Sequence, residues 1–464
     1  MQKKILTLAI AAAMVAPAAA MAEATLYGKL NMSIDYADVK NARGLSYETV
    51  DVNPNSAAPI GFIDGDPVYA PGTAPQDAIV IGPDGKPVVN RGDDFKGWGI
   101  SADGGYMPGS SRANRIGVKG SEDLGNGLKA IYQVELGLNL SAADDNIPSG
   151  NNGISYRNSF VGLAGNWGTF LVGRHDTPLK ISTGKLDMFS DTMADYNGTV
   201  GFDDLRVDNA IAYISPSFSG FSFAGAIVAP GGATAGFGQN INSDSLAGAY
   251  SLAGIYNNGP FYASLAYESL DKDMFMNSST SVAGSSACID AMGQPTPSCN
   301  YVGDSYDKWR VGLGLLDWNG FTLSGVYEQQ DNIPSGQTRT AVNFIDANGN
   351  IYVGSADTVE KQSLWQIQAA YAFGNNAVKA MYGSVDRSNA GTFATNLNET
   401  VSIKNLKNDL EGDRYTWAIG FDHNFSKRTK AYVLYTAVDD DLNGTPGYEG
   451  IEWSGFSAGM IHKF

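Results

Sequence analysis

Histidine is the commonest general base, and this 464-residue chain has three: His175, His423 and His462. His175–Asp176 is the suggestive pair with a carboxylate. Adjacent residues of a strand point to opposite faces, so that pair does not make a base with an orienting partner, and no enzyme is expected. "DANGN" at 346–350 opens like a calcium loop, but the bidentate Glu at the required distance is absent and the stretch reads as a turn. "RGD" at 91–93 is read as a chance occurrence. Cys288 and Cys299, with ten residues between them, lie in a segment rich in Ser, Gly and Pro. After export a loop disulfide is expected, because a metal site would want more ligands nearby. No cofactor or metal is implied.

The charged residues therefore act as charges rather than as catalysts. The formal net charge of −17 argues against nucleic acid, whose phosphates need a basic surface. Only 17% of residues are charged, whereas 56 are glycine and 11% are aromatic. That balance suits many strands with close backbones and aromatic belts. The chain starts with Lys3 and Lys4, an apolar run from Ile5 to Ala16, and a small-residue stretch ending Ala20-Met21-Ala22. Residues 1–22 are expected to be a signal peptide, cleaved before Glu23. Beyond it, no run of about 18 apolar residues could form a membrane helix.

A period-2 pattern must position the charges. Leu128, Ala130, Tyr132, Val134, Leu136 and Leu138 alternate with Lys129, Gln133 and Glu135. Thr25 to Tyr36 and Arg414 to His423 alternate in the same way. Sixteen such strands are expected: 24–36, 111–120, 127–139, 153–164, 168–175, 206–215, 220–229, 245–256, 260–270, 307–317, 320–330, 360–373, 377–386, 413–424, 429–438 and 454–464. An even number, with the last strand at the C-terminus, lets the sheet close on itself and leaves no edge in a bilayer. Phe456, Ala458, Met460, His462 and Phe464 then meet lipid, and Lys463 meets water. Tight connections such as Asn166-Trp167 and Gly374-Asn375-Asn376 alternate with long ones: 37–110, 140–152, 176–205, 230–244, 271–306, 331–359, 387–412 and 439–453. Two long loops, at 78–90 and 343–354, are expected to carry hairpins. Tyr36, Tyr267, Tyr327, Trp318, Trp417 and Trp453, near strand ends, are assigned to interfacial girdles. The fold class is all-β: a 16-stranded antiparallel transmembrane β-barrel over 23–464 as one domain.

Four stretches carry a resemblance. They are "TLYGKLNMSIDY" (25–36), "SRANRIGVKGSEDLGNGLKAIYQVELGLNL" (111–140), "YRNSFVGLAGNWGTFLVGRHDTP" (156–178) and "MIHKF" (460–464). Together they resemble the Gram-negative general porins, trimeric 16-stranded outer-membrane channels. The resemblance implies short periplasmic turns, long extracellular loops and a third loop, 176–205, folded inward as a constriction. It also implies a basic wall of Lys29, Arg115 and Arg157, with Arg174 and Arg206 beside it. These would face the loop carboxylates Asp187, Asp191, Asp195, Asp203 and Asp204, which share the loop with Lys180 and Lys185. The Pro-Glu-Phe-Gly-Gly loop signature of enteric members is missing. Phe464 would be the terminal signal read by the barrel-insertion machinery.

The implied function is passive diffusion of small hydrophilic solutes and ions, in a homotrimer embedded in outer-membrane lipid and lipopolysaccharide. A substrate-selective porin is the first alternative. The second is a surface barrel whose long loops, above all 37–110, bind extracellular partners. Opposed fixed charges across a gap set a transverse field that orients dipolar solutes. Five loop carboxylates outnumber three wall cations, so a cation preference is expected.

Overall fold

A computed structural model describes residues 23–40, 112–140, 153–229, 245–271, 305–333, 359–389, 412–440 and 452–464. It also describes 46–58, 60–63, 66–68, 70, 77–80, 82–83, 88–90, 94–101, 288–289, 295–296, 341–345, 348–349, 351–355 and 393–396. The expected signal peptide, 1–22, lies outside the described residues.

Sixteen strands form the closed wall. They are β1 (Glu23–Lys40), β2 (Arg115–Gly125), β3 (Leu128–Leu138), β4 (Ile154–Gly165), β5 (Gly168–Asp176), β6 (Arg206–Ile214), β7 (Phe221–Val228) and β8 (Ala249–Asn258). The second half runs β9 (Phe261–Leu270), β10 (Tyr306–Trp318), β11 (Phe321–Asp331), β12 (Val359–Phe373), β13 (Asn376–Asn389), β14 (Gly412–Asn424), β15 (Thr429–Asp440) and β16 (Glu452–Lys463). Each pairs antiparallel with its neighbours, and β16 closes on β1 with Lys29 opposite Lys463. The last residue takes part. Gly28 N–H donates to the Phe464 carbonyl at 3.0 Å, Phe464 N–H donates back at 3.2 Å, and the Phe464 ring fills the space a Cβ at Gly28 would need.

Alternation decides the two faces of the wall. Large apolar residues such as Val161, Leu265, Leu313, Ile419 and Met460 stand exposed on the outside, a surface that requires a hydrocarbon surround. Cross-strand aromatic pairs ring the long-loop end: Tyr36–Trp98, Tyr250–Tyr267, Trp309–Tyr327, Trp365–Tyr382 and Trp417–Tyr435. Trp167–Tyr213, Phe221–Tyr256 and the exposed Trp318 mark the other end. Trp453 is a correction. It is paired with Val39 on the inward parity and buried with Ala37, Val39 and Met193, so it belongs to the interior and not to a girdle.

The first long connection also differs from expectation. Its strand Phe95–Ile100 pairs with Ile34 to Val39 of β1, directly above the stretch of β1 that pairs with β2. It is therefore a piece of the wall. Ser101 (φ 40°) and Ala113 (φ 42°) flank the break between Phe95–Ile100 and β2. Side chains bridge the break: Asn31 N–H donates to Asn114 Oδ1 (2.5 Å) and Ser33 N–H to Ser101 Oγ (2.8 Å). The buried Arg112–Asp35 ion pair, 2.7 Å, ties the returning chain to β1.

Beyond the wall, Thr49–Asp51, Asp77–Val80, Ala341–Ile345, Ile351–Ser355 and Phe393–Asn396 form one five-stranded sheet drawn from three long loops. The expected hairpin at 343–354 is present. The one at 78–90 is not a simple hairpin, because Asp77–Val80 pairs with its neighbours in the sheet and keeps one bond, Val88 N–H to Val80 O at 2.8 Å. Cys288–Ile289 pairs with Pro295–Thr296, but Cys299 lies outside the described residues, and with it the expected disulfide.

Candidate functional site

The connection from β5 to β6 turns into the barrel. It carries two short helices, α1 (Pro178–Thr183) and α2 (Tyr196–Thr199). Thr177 caps α1 by accepting from Lys180 N–H at 3.4 Å, and Asp195 caps α2 by accepting from Asn197 N–H at 2.9 Å. The segment lies against the inner wall. Leu179 is buried with Ala253 and Ala266, and Leu186, Val200 and Phe202 are buried with Tyr262, Val326 and Leu364. Phe189 and Met193 reach Met381, Ala418 and Leu434. The wall from β8 round to β16 is thus covered by the segment.

Three polar anchorages hold the segment. At its root, Asp176 meets Lys180 at 3.2 Å and Arg206 at 2.9 Å, and Asn158 donates to Asp176 (3.0 Å) while accepting from Arg206 (2.8 Å). On its return, Asp203 pairs with Lys308 (2.9 Å) and Asp204 with Arg310 (2.5 Å). Lys308 also pairs with Glu268 (2.8 Å) and Arg310 with Glu328 (2.5 Å), both cations being fully buried. At its tip, Asp191 forms an ion pair with Lys29 and lies 4.0 Å from Arg115, while Asn31 donates to the Asp191 carbonyl at 2.6 Å.

The expected site residues divide accordingly. Lys29, Arg115 and Arg157 come together on β1, β2 and β4 with Asp191. Glu135 of β3, which was not singled out from the sequence, sits at their centre. It accepts from Arg157 Nε (2.6 Å) and Tyr27 Oη (2.9 Å) and lies 3.8 Å from Arg115. Its inward parity in the 128–138 alternation was the available signal. A bulge in β4 opposite Glu135, between the Ser159 and Tyr156 pairings, turns Arg157 toward it. Arg206 joins the neighbouring Asp176 cluster. Arg174 is apart: it shares parity with the outward Phe170 and Val172 and pairs at 2.7 Å with the exposed Asp208.

Of the five expected loop carboxylates, only Asp191 is presented to the basic wall. Asp187 is buried, accepting from Phe189 N–H and Gln368 Nε2, each at 2.9 Å. Burial pushes its carboxyl up to about 6. Asp195 accepts from Asp191 N–H at 2.7 Å, and burial, reinforced by the Asp187 and Asp191 charges, raises it well above the usual carboxylate range. Asp203 and Asp204 are held by Lys308 and Arg310. A chain crossing a lumen must satisfy its own backbone donors and pair its polar groups, and these four carboxylates do that work, Asp203 with its side chain still 37% exposed.

A family model for Gram-negative porins matches residues 8–443. The chain belongs to the Gram-negative porin family. The major outer membrane protein P.IB of Neisseria gonorrhoeae is 25% identical over 365 residues, covering 76% of this chain and 84% of the relative. An outer membrane porin of Bordetella pertussis is 30% identical over 250 residues, 48% of this chain and 58% of that one. Among solved structures, an anion-selective porin from Comamonas acidovorans superposes with TM-score 0.54 at 20% identity, covering 96% of this chain and all of that one, which attests the fold. The porin is thus a bacterial outer-membrane barrel, a water-filled channel for the passive diffusion of small hydrophilic solutes and ions.

Proposed function

We propose that the porin favours anions, with the segment 176–205 as its constriction and Lys29, Arg115, Arg157 and Arg206 as the charged wall. This reverses the preference expected from counting loop carboxylates. The observation that carries it is where the acids are engaged. Asp187 and Asp195 bond within the segment and to the wall behind it, and Asp203 and Asp204 pair with buried cations. Six cations, the four of the wall with Lys180 and Lys185 of the segment, border the gap between the segment and β1 to β5, taken as the water path, against four carboxylates, Asp176, Asp191, Glu135 and the partly exposed Asp203. The Debye length at physiological salt is about 8 Å, so these nearest charges outweigh the acidic remainder of the chain.

Three copies are proposed to associate, with one channel per copy, and Phe464 to serve as the insertion signal. The test is single-channel recording of refolded porin in a planar bilayer under a salt gradient. A reversal potential of anion-selective sign, with closure in three steps, supports the reading. A cation-selective sign overturns the charge assignment.

A further inference from the structure

Five inward positions of the covered wall are glycines, and each faces a side chain of the constriction segment. A Cβ on Gly312 of β10 would lie 2.6 Å from Leu186 and 2.9 Å from Thr183, and one on Gly314 2.9 Å from Leu186. On Gly383 of β13 it would lie 2.9 Å from Val200, on Gly420 of β14 3.1 Å from Phe189, and on Gly455 of β16 2.5 Å from Met193. Such separations are closer than carbon atoms in contact. Glycine in a strand interior weakens the strand, and it persists where something must approach the backbone closely. Here the buried side of the segment, Leu186, Phe189, Met193 and Val200, approaches each of the five glycines, joined by Ser264 of the wall at Gly312, the Trp365 carbonyl at Gly383 and Lys379 at Gly420. The outward neighbours on the same strands, Leu313, Tyr382, Ile419 and Phe456, are large, whereas Gly459 of β16, away from the segment, makes room for Tyr432 of the wall.

We infer that Gly312, Gly314, Gly383, Gly420 and Gly455 are sockets that set how far the segment stands out from the wall, and so are positioning residues for the width of the pore. This rests on the reading that the segment bounds the narrowest part of the channel. Because its knobs enter the wall, the segment is seated rather than hinged. A side chain added behind it pushes it into the water path, and a side chain trimmed from it gives the space back.

The experiment measures conductance and the exclusion size for neutral solutes in bilayers. Gly312→Val is made alone and with Leu186→Ala, because everything a Cβ at Gly312 meets is side chain. Gly420→Ala is made alone and with Phe189→Leu, as the milder pair. The heat-modifiable gel mobility of an intact barrel is the entry condition for each, and a pair in which Gly312→Val fails it is replaced by the Gly420 pair. The expected result is a conductance roughly twofold lower in the glycine variants, with a smaller exclusion size, both restored in the doubles. Lys29→Ala is recorded beside them. Folded glycine variants with unchanged conductance, or a loss not relieved by the second substitution, overturn the socket inference if Lys29→Ala still shifts selectivity. No change in any variant, Lys29→Ala included, overturns the constriction reading beneath it.

Discussion

The two sides of the lumen use the same residue types on the same strand parity for different ends. On β1 to β5, Arg115 and Arg157 meet carboxylates while keeping a side toward water, 26% and 19% exposed, whereas Lys29 is closed over by Asp191. On β10, Lys308 and Arg310 also point inward, yet both are fully buried between wall acids and the acids of the segment. The first set is available to solutes. The second fastens the loop. An inward Arg is thus a pore charge or a structural clamp according to what lies over it.

The largest expected effect is on the clamp. Arg310→Ala leaves Glu328 and Asp204 buried without their shared cation, a loss of about 3–5 kcal/mol for a broken buried pair. Urea unfolding followed by gel mobility should show it, with noisier channels from a looser segment. Arg157→Ala, at a side chain 19% exposed that leaves Glu135 its Tyr27 bond, should lose less, about 1–3 kcal/mol. Equal midpoints for the two variants would erase the distinction between the sides.

Selectivity should respond in the opposite order. Arg115→Ala combined with Arg157→Ala removes two of the cations beside the water path and unpairs Glu135. The reversal potential should move toward cations and the conductance should rise. Unchanged permeability ratios would take both residues out of the constriction.

A smaller effect comes from Asp187, within the seated segment. Its carboxyl titrates at about 6 in the fold against 3.8 when free, because burial disfavours the charge. The folded form therefore holds its proton more tightly. The stability linked to it is complete below the free value and is lost as pH rises through about 6. Unfolding midpoints should fall over that window in the native porin, and Asp187→Asn should flatten the fall. A slope that survives the substitution would assign it to other groups.

How much was legible in the sequence follows from the same physics. The sixteen long wall strands were readable, because alternation is local and a bilayer punishes its violation. Lys29, Arg115 and Arg157 were readable as inward for the same reason. The fate of Asp187, Asp195, Asp203 and Asp204 was not. A loop carboxylate becomes a cap, a buried acceptor or a pore charge through contacts with Gln368, Lys308 and Arg310, more than a hundred positions away. Phe95–Ile100 escaped notice because it is a six-residue strand set inside a long connection rich in turn residues.

Arg174 supplies the smallest and sharpest contrast. It lies close in sequence to the segment and was grouped with the wall cations, yet the parity of β5 sends it outward. There its pair with Asp208, 2.7 Å apart and with Asp208 67% exposed, should contribute about 0.5 kcal/mol or less. Arg174→Ala should therefore leave both the reversal potential and the unfolding midpoint where they were. Recorded beside Arg157→Ala, it isolates direction from charge, since each variant removes one guanidinium from the same end of the barrel. A shift in reversal potential as large as that of Arg157→Ala would mean that charges outside the wall are felt in the water path. The division of the lumen into a pore side and a clamp side would then no longer account for selectivity.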